Sequence, residues 1–139
     1  MFDESAARRY CETIAPLLSR RVIYAGGRPY LERYVAAGDA HTEPGARGAI
    51  YLHHFVASDP AGAVHSHPWA WGLSLILSGG YREHRCTQAG QLVTRLYRPG
   101  EVNVFVSDDK HWVELLEADC WTLFLAGEFQ KAWGFSPGC

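Results

Sequence analysis

Beyond Ala25-Gly26-Gly27 the chain breaks into short apolar runs separated by turn residues. The runs cover residues 30–36, 49–57, 71–77, 81–86, 92–97, 102–106, 112–116 and 121–126, each rich in β-branched and aromatic side chains. Between them stand Gly38-Asp39, Asp59-Pro60, Gly79-Gly80, Gly90, Pro99-Gly100, Asp108-Asp109 and Glu117-Ala118-Asp119, residue types that favour turns. Many short strands at even spacing predict an antiparallel sandwich or barrel, with residues 132–135 as a last short strand. The N-terminal segment has a different period. Asp3 or Ser5 can cap a helix, and Tyr10, Ile14, Leu17 and Leu18 follow at helical spacing. Arg20 and Arg21 would suit its C-terminal dipole. The expectation is an all-β single domain: a helix over 1–21 packed on a barrel over 22–139.

Composition fits one globular domain. With 139 residues and 47% hydrophobic content, a core can form without staples. A net charge of −2 and the absence of a basic run argue against nucleic acid as a partner. No apolar stretch reaches membrane-spanning length, and Met1-Phe2-Asp3-Glu4 does not read as a signal peptide. Cys11, Cys86, Cys120 and Cys139 are dispersed and form no CxxC pair, so neither a zinc knuckle nor a disulfide framework is expected. Cys86 is expected as a buried reduced thiol, and the cytoplasm as the compartment.

The chemistry concentrates in His65-Ser66-His67-Pro68-Trp69. On extended chain, alternate side chains share a face, so His-x-His can aim two rings at one point. Both histidines lie where a loop enters an apolar strand, and Pro68 fixes the backbone just beyond. His111 begins a strand-like run 44 positions later, at a similar loop-to-strand junction. Three imidazoles meeting at one mouth of a barrel would make a facial metal site with open positions.

These residues resemble the metal motifs of the cupin superfamily, small jelly-roll barrels of the RmlC-like type. Its first motif runs G-x5-H-x-H-x3-4-E-x6-G. His65, His67 and Gly79 match it, while Gly72 stands in place of the glutamate and Asp59 in place of the opening glycine. In the second motif, G-x5-P-x-G-x2-H-x3-N, Gly100 and His111 match, while Val106, Asp108 and Leu115 depart. The resemblance covers about residues 48–127. It implies a jelly-roll fold and a metal held by His65, His67 and His111. With Gly72 at the carboxylate position, the site looks like the three-histidine variety, similar to thiol dioxygenases, although their Ser-x-His-x-Tyr relay is missing. That variety suits Fe(II), with a small chelating substrate and O2 on the open face. Mn, Ni, Cu and Zn are also compatible with neutral imidazoles. A metal-dependent isomerase or lyase without O2 and a non-catalytic binding module are the alternatives. Homodimers are common in the superfamily.

Other residues are placed by strand alternation. His53 and His54 are adjacent, so they must face opposite ways, and one of them can join the cavity. Trp69 and Trp71 could wall it, and Gly72 would border it. Arg33 or Arg95, if inward, could clamp a substrate carboxylate, and Tyr51 or Tyr97 could bring a phenol near the metal. Glu83, Glu101 and Glu114 are the carboxylates that could join the metal. His41 and His84 are expected in solvent. The run Trp133-Gly134-Phe135 is expected as a lid or subunit contact.

Overall fold

The structure, a computed structural model, describes residues 1–38, 48–60, 64–130, 134–136 and 139, with 134–136 as backbone. A helix, α1 (Glu4–Ile14), precedes β1 (Ser19–Ala25), β2 (Arg28–Ala37), β3 (Ala49–Phe55), β4 (Val64–Ser66), β5 (Trp71–Ser78) and β6 (Tyr81–Cys86). Then come β7 (Leu92–Tyr97), β8 (Val102–Val106), β9 (His111–Leu115), β10 (Cys120–Ala126) and β11 (Gly134–Ser136). The strands form two antiparallel sheets, ordered β1-β2-β3-β10-β5-β8 and β11-β4-β9-β6-β7. This is the expected jelly-roll type of arrangement. His41, Asp39 and Trp133 lie outside the described residues. Among the described residues, no helix is long and apolar enough to cross a membrane.

The helix stops earlier than its apolar spacing suggests. Asp3 caps it, its carboxylate accepting the Ala6 N–H at 3.0 Å. Pro16 opens a single 3-10 turn after Ile14, and with no N–H to donate it favours the start of a turn over a helix interior. Leu18 is already extended. Arg20 and Arg21 therefore lie in β1, opposite Tyr34 and Arg33, and Arg20 pairs with Glu32 at 3.1 Å rather than with a helix end. Gly26 and Gly27, with φ of +59° and +77°, form the β1–β2 hairpin turn, a conformation that a side chain would strain.

Alternation along the strands divides the six-stranded sheet into two faces. Leu31, Arg33, Tyr51, His53, Ser74, Asn103, Phe105, Thr122 and Phe124 are buried and turned towards the other sheet. The opposite face carries Trp71, Val102, Val104 and Val106, all exposed. Part of that outer face lies under α1, where Cys11 and Ala15 pack with Leu52 and Trp121. Tyr10, Ile14 and Leu17, the expected apolar stripe, are exposed instead.

The cysteine expectation is overturned. Cys86 is half-buried and bonded to Cys139 in a disulfide, with the Cα atoms 5.5 Å apart. The second sheet makes this possible: β11 lies beside β4, β4 beside β9 and β9 beside β6, which returns the C-terminus towards the end of β6. The free cysteines among the described residues are Cys11 and Cys120, both buried. Burial pushes their thiols up to about 11 and about 12.

Candidate metal centre

His65 lies on β4 directly opposite His111 on β9, and His67 follows β4 by one residue. Parity puts His65 and His67 on one side of the chain, and the β4–β9 pairing adds His111. All three are buried, and one ring nitrogen from each can be chosen so that the three lie within 4.8 Å of one another. His67 Nε2 and His111 Nε2 are 2.7 Å apart. Two facing imidazole nitrogens at that distance require a proton or a cation between them. Phe105 stacks on the His67 ring at 4.2 Å.

Buried carboxylates stand behind the imidazoles. His111 Nδ1 bonds Glu83 Oε2 at 2.7 Å. Burial alone would raise the Glu83 carboxyl, but the His111 contact, Asn103 and Arg85 outweigh it and draw it down to about 2. Glu83 is therefore an acceptor, His111 Nδ1 donates to it, and Nε2 keeps its lone pair for the cavity, the arrangement that metal-binding histidines need. Behind His65, Asp59 Oδ2 lies 3.9 Å from Nδ1. Asp59 also accepts the Val113 N–H at 2.8 Å and the Tyr30 hydroxyl. Burial and the neighbouring His111, His65, Arg33 and His53 hold His67 well below the ordinary histidine range, so its ring is neutral. Three converging imidazoles, two of them with a carboxylate behind, fit a divalent metal.

The three histidines line one cavity of about 50 Å³ together with Arg33, His53 and Trp69. At roughly 10–15 Å³ per water position, this holds only a few small atoms. Of the adjacent pair, His53 faces the cavity, and Arg33 Nε donates to its Nε2 at 3.0 Å. His54 does not reach the cavity. Its rings nitrogens bond Glu32 at 2.6 Å and Asp119 at 2.7 Å on the outer face, and its ring stacks on Trp121 at 4.0 Å.

The remaining expectations separate by strand face. Arg33 is inward and 3% exposed, and Trp69 is buried beside His67. Tyr51 is fully buried but lies beneath the Arg33 guanidinium, 4.7 Å from it, outside the cavity lining. Tyr97 packs with Ile76 and Tyr81 in another part of the core. Arg95 is exposed and lies over the Tyr97 ring at 4.6 Å. Neither borders the histidine cavity. Gly72 is buried, and a Cβ there would fall 2.3 Å from Phe105 Cζ and 2.9 Å from Phe124 Cζ. A glutamate at this position has no room. Trp71 points outward. Glu101 accepts the Arg98 N–H in a turn, and Glu114 pairs with Arg82 at the surface. His84 is not in open solvent: it bonds Thr94 at 2.8 Å and stacks on Trp112 at 3.9 Å.

Sequence reasoning missed Tyr30, Ser74, Tyr81 and Asn103 as cavity residues. Asn103 bonds both Glu83, at 2.8 Å, and the Tyr81 hydroxyl, at 3.0 Å. Its signal in the sequence was a lone polar residue inside the valine-rich run 102–106.

No protein-family model matches the chain, and no curated protein matches it. Its fold is similar to several solved structures. A structure of the DMSP lyases RdDddP and RnDddQII matches with a TM-score of 0.70 at 18% identity, over 96% of this chain and 69% of that one. Fe(II)-HppE with an alternative substrate, (S)-1-HPP, matches with a TM-score of 0.62 at 9% identity, over 81% of this chain and 57% of that one. Bacillus subtilis oxalate decarboxylase, studied for its Mn(II) centres, gives 0.57 at 18% identity over 82% of this chain. The chain spans little more than half the length of HppE and 29% of the oxalate decarboxylase chain.

Proposed function

We propose that this protein is a mononuclear metalloenzyme of the non-haem Fe(II) oxygenase type, acting on a small chelating substrate. The observation that carries the reading is the convergence of His65, His67 and His111 with no carboxylate among them. Neutral donors leave a divalent metal its full charge and open positions, so the bound metal would supply Lewis acidity and a place for substrate and O2. The chain's own residues do the rest. Glu83 holds His111 in the ligand tautomer, Asp59 stands behind His65, and Phe105, Phe124 and Trp69 keep the cavity apolar around the imidazoles. The solved HppE supports iron as the metal, being an Fe(II) protein of similar fold.

A second reading is a metal-dependent lyase or isomerase that does not use O2. It is favoured by the match to DMSP lyases, which extends over 96% of this chain. The deciding experiment loads the protein anaerobically with Fe(II), then follows O2 uptake and product formation with small thiols, diols, hydroxy acids and amino acids. Substrate-dependent O2 uptake supports the oxygenase. Turnover without O2 uptake assigns the lyase or isomerase instead. Metal binding with no turnover of any compound points to a binding module.

A further inference from the structure

We propose that the substrate carries a small carboxylate, seated on the two Nη groups of Arg33 while its other end faces the three histidines. The proposal rests on the metal-centre reading and adds the substrate class to it. Arg33 stands on β2 opposite His53 on β3 and is 3% exposed. Its Nε donates to His53 Nε2 at 3.0 Å, and its guanidinium carbon lies 4.7 Å from the centre of the Tyr51 ring and 5.2 Å from that of Trp69. One hydrogen bond and two ring faces therefore fix the guanidinium, while the Nη groups have no acceptor among the described residues.

The other partly or fully buried arginines are matched. Arg8 pairs with Asp119 at 2.7 Å, and Arg85 pairs with Glu83 at 3.0 Å and Asp109 at 3.6 Å. Among the described residues no ion pair joins Arg33 to a carboxylate; its polar surroundings include Tyr51, Arg21 and Tyr30 together with His53 and His67. Burial lowers it to about 10, so it is still a cation at neutral pH. A buried cation with no carboxylate partner among the described residues is costly, and a carboxylate bridging two parallel N–H groups is the ligand that best offsets the cost. A guanidinium and a divalent metal sharing one cavity also call for negative charge on whatever binds between them. The cavity's size limits that ligand to a few heavy atoms, such as a short carboxylic acid with a hydroxyl, thiol or carbonyl near its other end. His53 acts here as a positioning residue: its neutral Nε2 accepts from Arg33 and so orients the fork.

The test is calorimetric titration of the metal-free and the zinc-loaded protein with acetate, glycolate and inorganic phosphate. The wild type is expected to bind both carboxylates in preference to phosphate, and zinc is expected to tighten glycolate more than acetate. Arg33→Gln should weaken carboxylate binding by about tenfold or more in both forms while zinc is retained. Should Arg33→Gln fail to fold, Arg33→Lys decides, because a point charge cannot reproduce the two-pronged contact and carboxylate affinity should still fall. His53→Leu should weaken carboxylates and leave zinc bound. The proposal is overturned if the Arg33 variants bind carboxylates as the wild type does, if the wild type binds none, or if phosphate binds better. Failure to bind zinc would remove the metal reading alone, since the metal-free titrations still judge Arg33.

Discussion

His53 lies on the inner face of β3, with Arg33 at 3.0 Å and the Phe124 ring stacked at 4.8 Å. His54, the next residue, lies on the outer face between Glu32 and Asp119. The first ring is neutral: burial and the nearby Arg33 hold it well below the ordinary histidine range. The second has a carboxylate at each nitrogen, at 2.6 and 2.7 Å. One residue of register thus separates two kinds of chemistry. The inner face strips imidazoles of water and charge, which suits metal and substrate. The outer face gathers ion pairs that hold the helix, since Asp119 also binds Arg8 of α1 at 2.7 Å.

That division can be broken at several points. The largest effect is expected at the inner face: His111→Ala should lower metal affinity by more than about 100-fold, beyond the cost of losing an outer partner, as measured by competition with a chelator. A ligand-like loss with His54→Ala instead would reverse the assignment of faces. Next is the disulfide. β11 pairs with β4, placing Phe135 opposite His65, and Cys139 ties the chain that follows β11 to β6. Cys139→Ser should cost about 2–4 kcal/mol in denaturant unfolding and also weaken metal binding; an unchanged midpoint would show that the tether carries no stability.

His54→Ala removes two charge-assisted hydrogen bonds and a ring stack. It should cost about 1–3 kcal/mol while metal affinity stays the same, so a fall in both would mean the two faces are coupled. The smallest effect is on pH dependence. The hydrogen bond from Arg8, partly opposed by burial and helped by His54, holds the Asp119 carboxyl below its ordinary range. Because the folded value is the lower one, its contribution is present above the ordinary carboxyl value of about 4 and fades as pH falls below it. Asp119→Asn should flatten the acid limb of the stability curve below about pH 4. An acid limb identical to the wild type would exclude that contribution.

Much of the fold was legible because alternation and turn residues mark long strands: β6, β7 and β8 fall where the pattern places them. Two strands were not legible. β4 has three residues and one pairing with β9, too few for a period to appear. β1 was missed, its residues 19–21 being read as the end of the helix, because Gly26-Gly27 can end a helix or turn a hairpin, and only pairing with β2 distinguishes them. Alternation also tells which residues share a face but not which face is buried. On β5 the leucines Leu73, Leu75 and Leu77 point away from the other sheet, and Gly72, Ser74, Ile76 and Ser78 line the interior, the reverse of a simple apolar-inside rule.

At the site, spacing and motif made the three histidines readable, whereas their supports depend on register. Glu83 stands opposite Val113, a diagonal neighbour of His111, and only the β6–β9 pairing could single it out from Glu101 and Glu114. Asp59, a departure from the motif, reaches His65 through a loop. The Cys86–Cys139 bond spans 53 positions and needs the sheet order to bring its ends together. It also removes the ground on which a reducing compartment was expected.

The central claim is that three inward imidazoles, without carboxylate or thiolate, hold one metal. X-ray absorption at the zinc edge of the loaded protein tests it most directly. The account predicts one zinc per chain with three imidazole nitrogens at about 2.0–2.1 Å, the remaining positions being filled by light atoms from solvent. Sulfur in the coordination sphere, fewer than three imidazoles, or no stoichiometric zinc would contradict it.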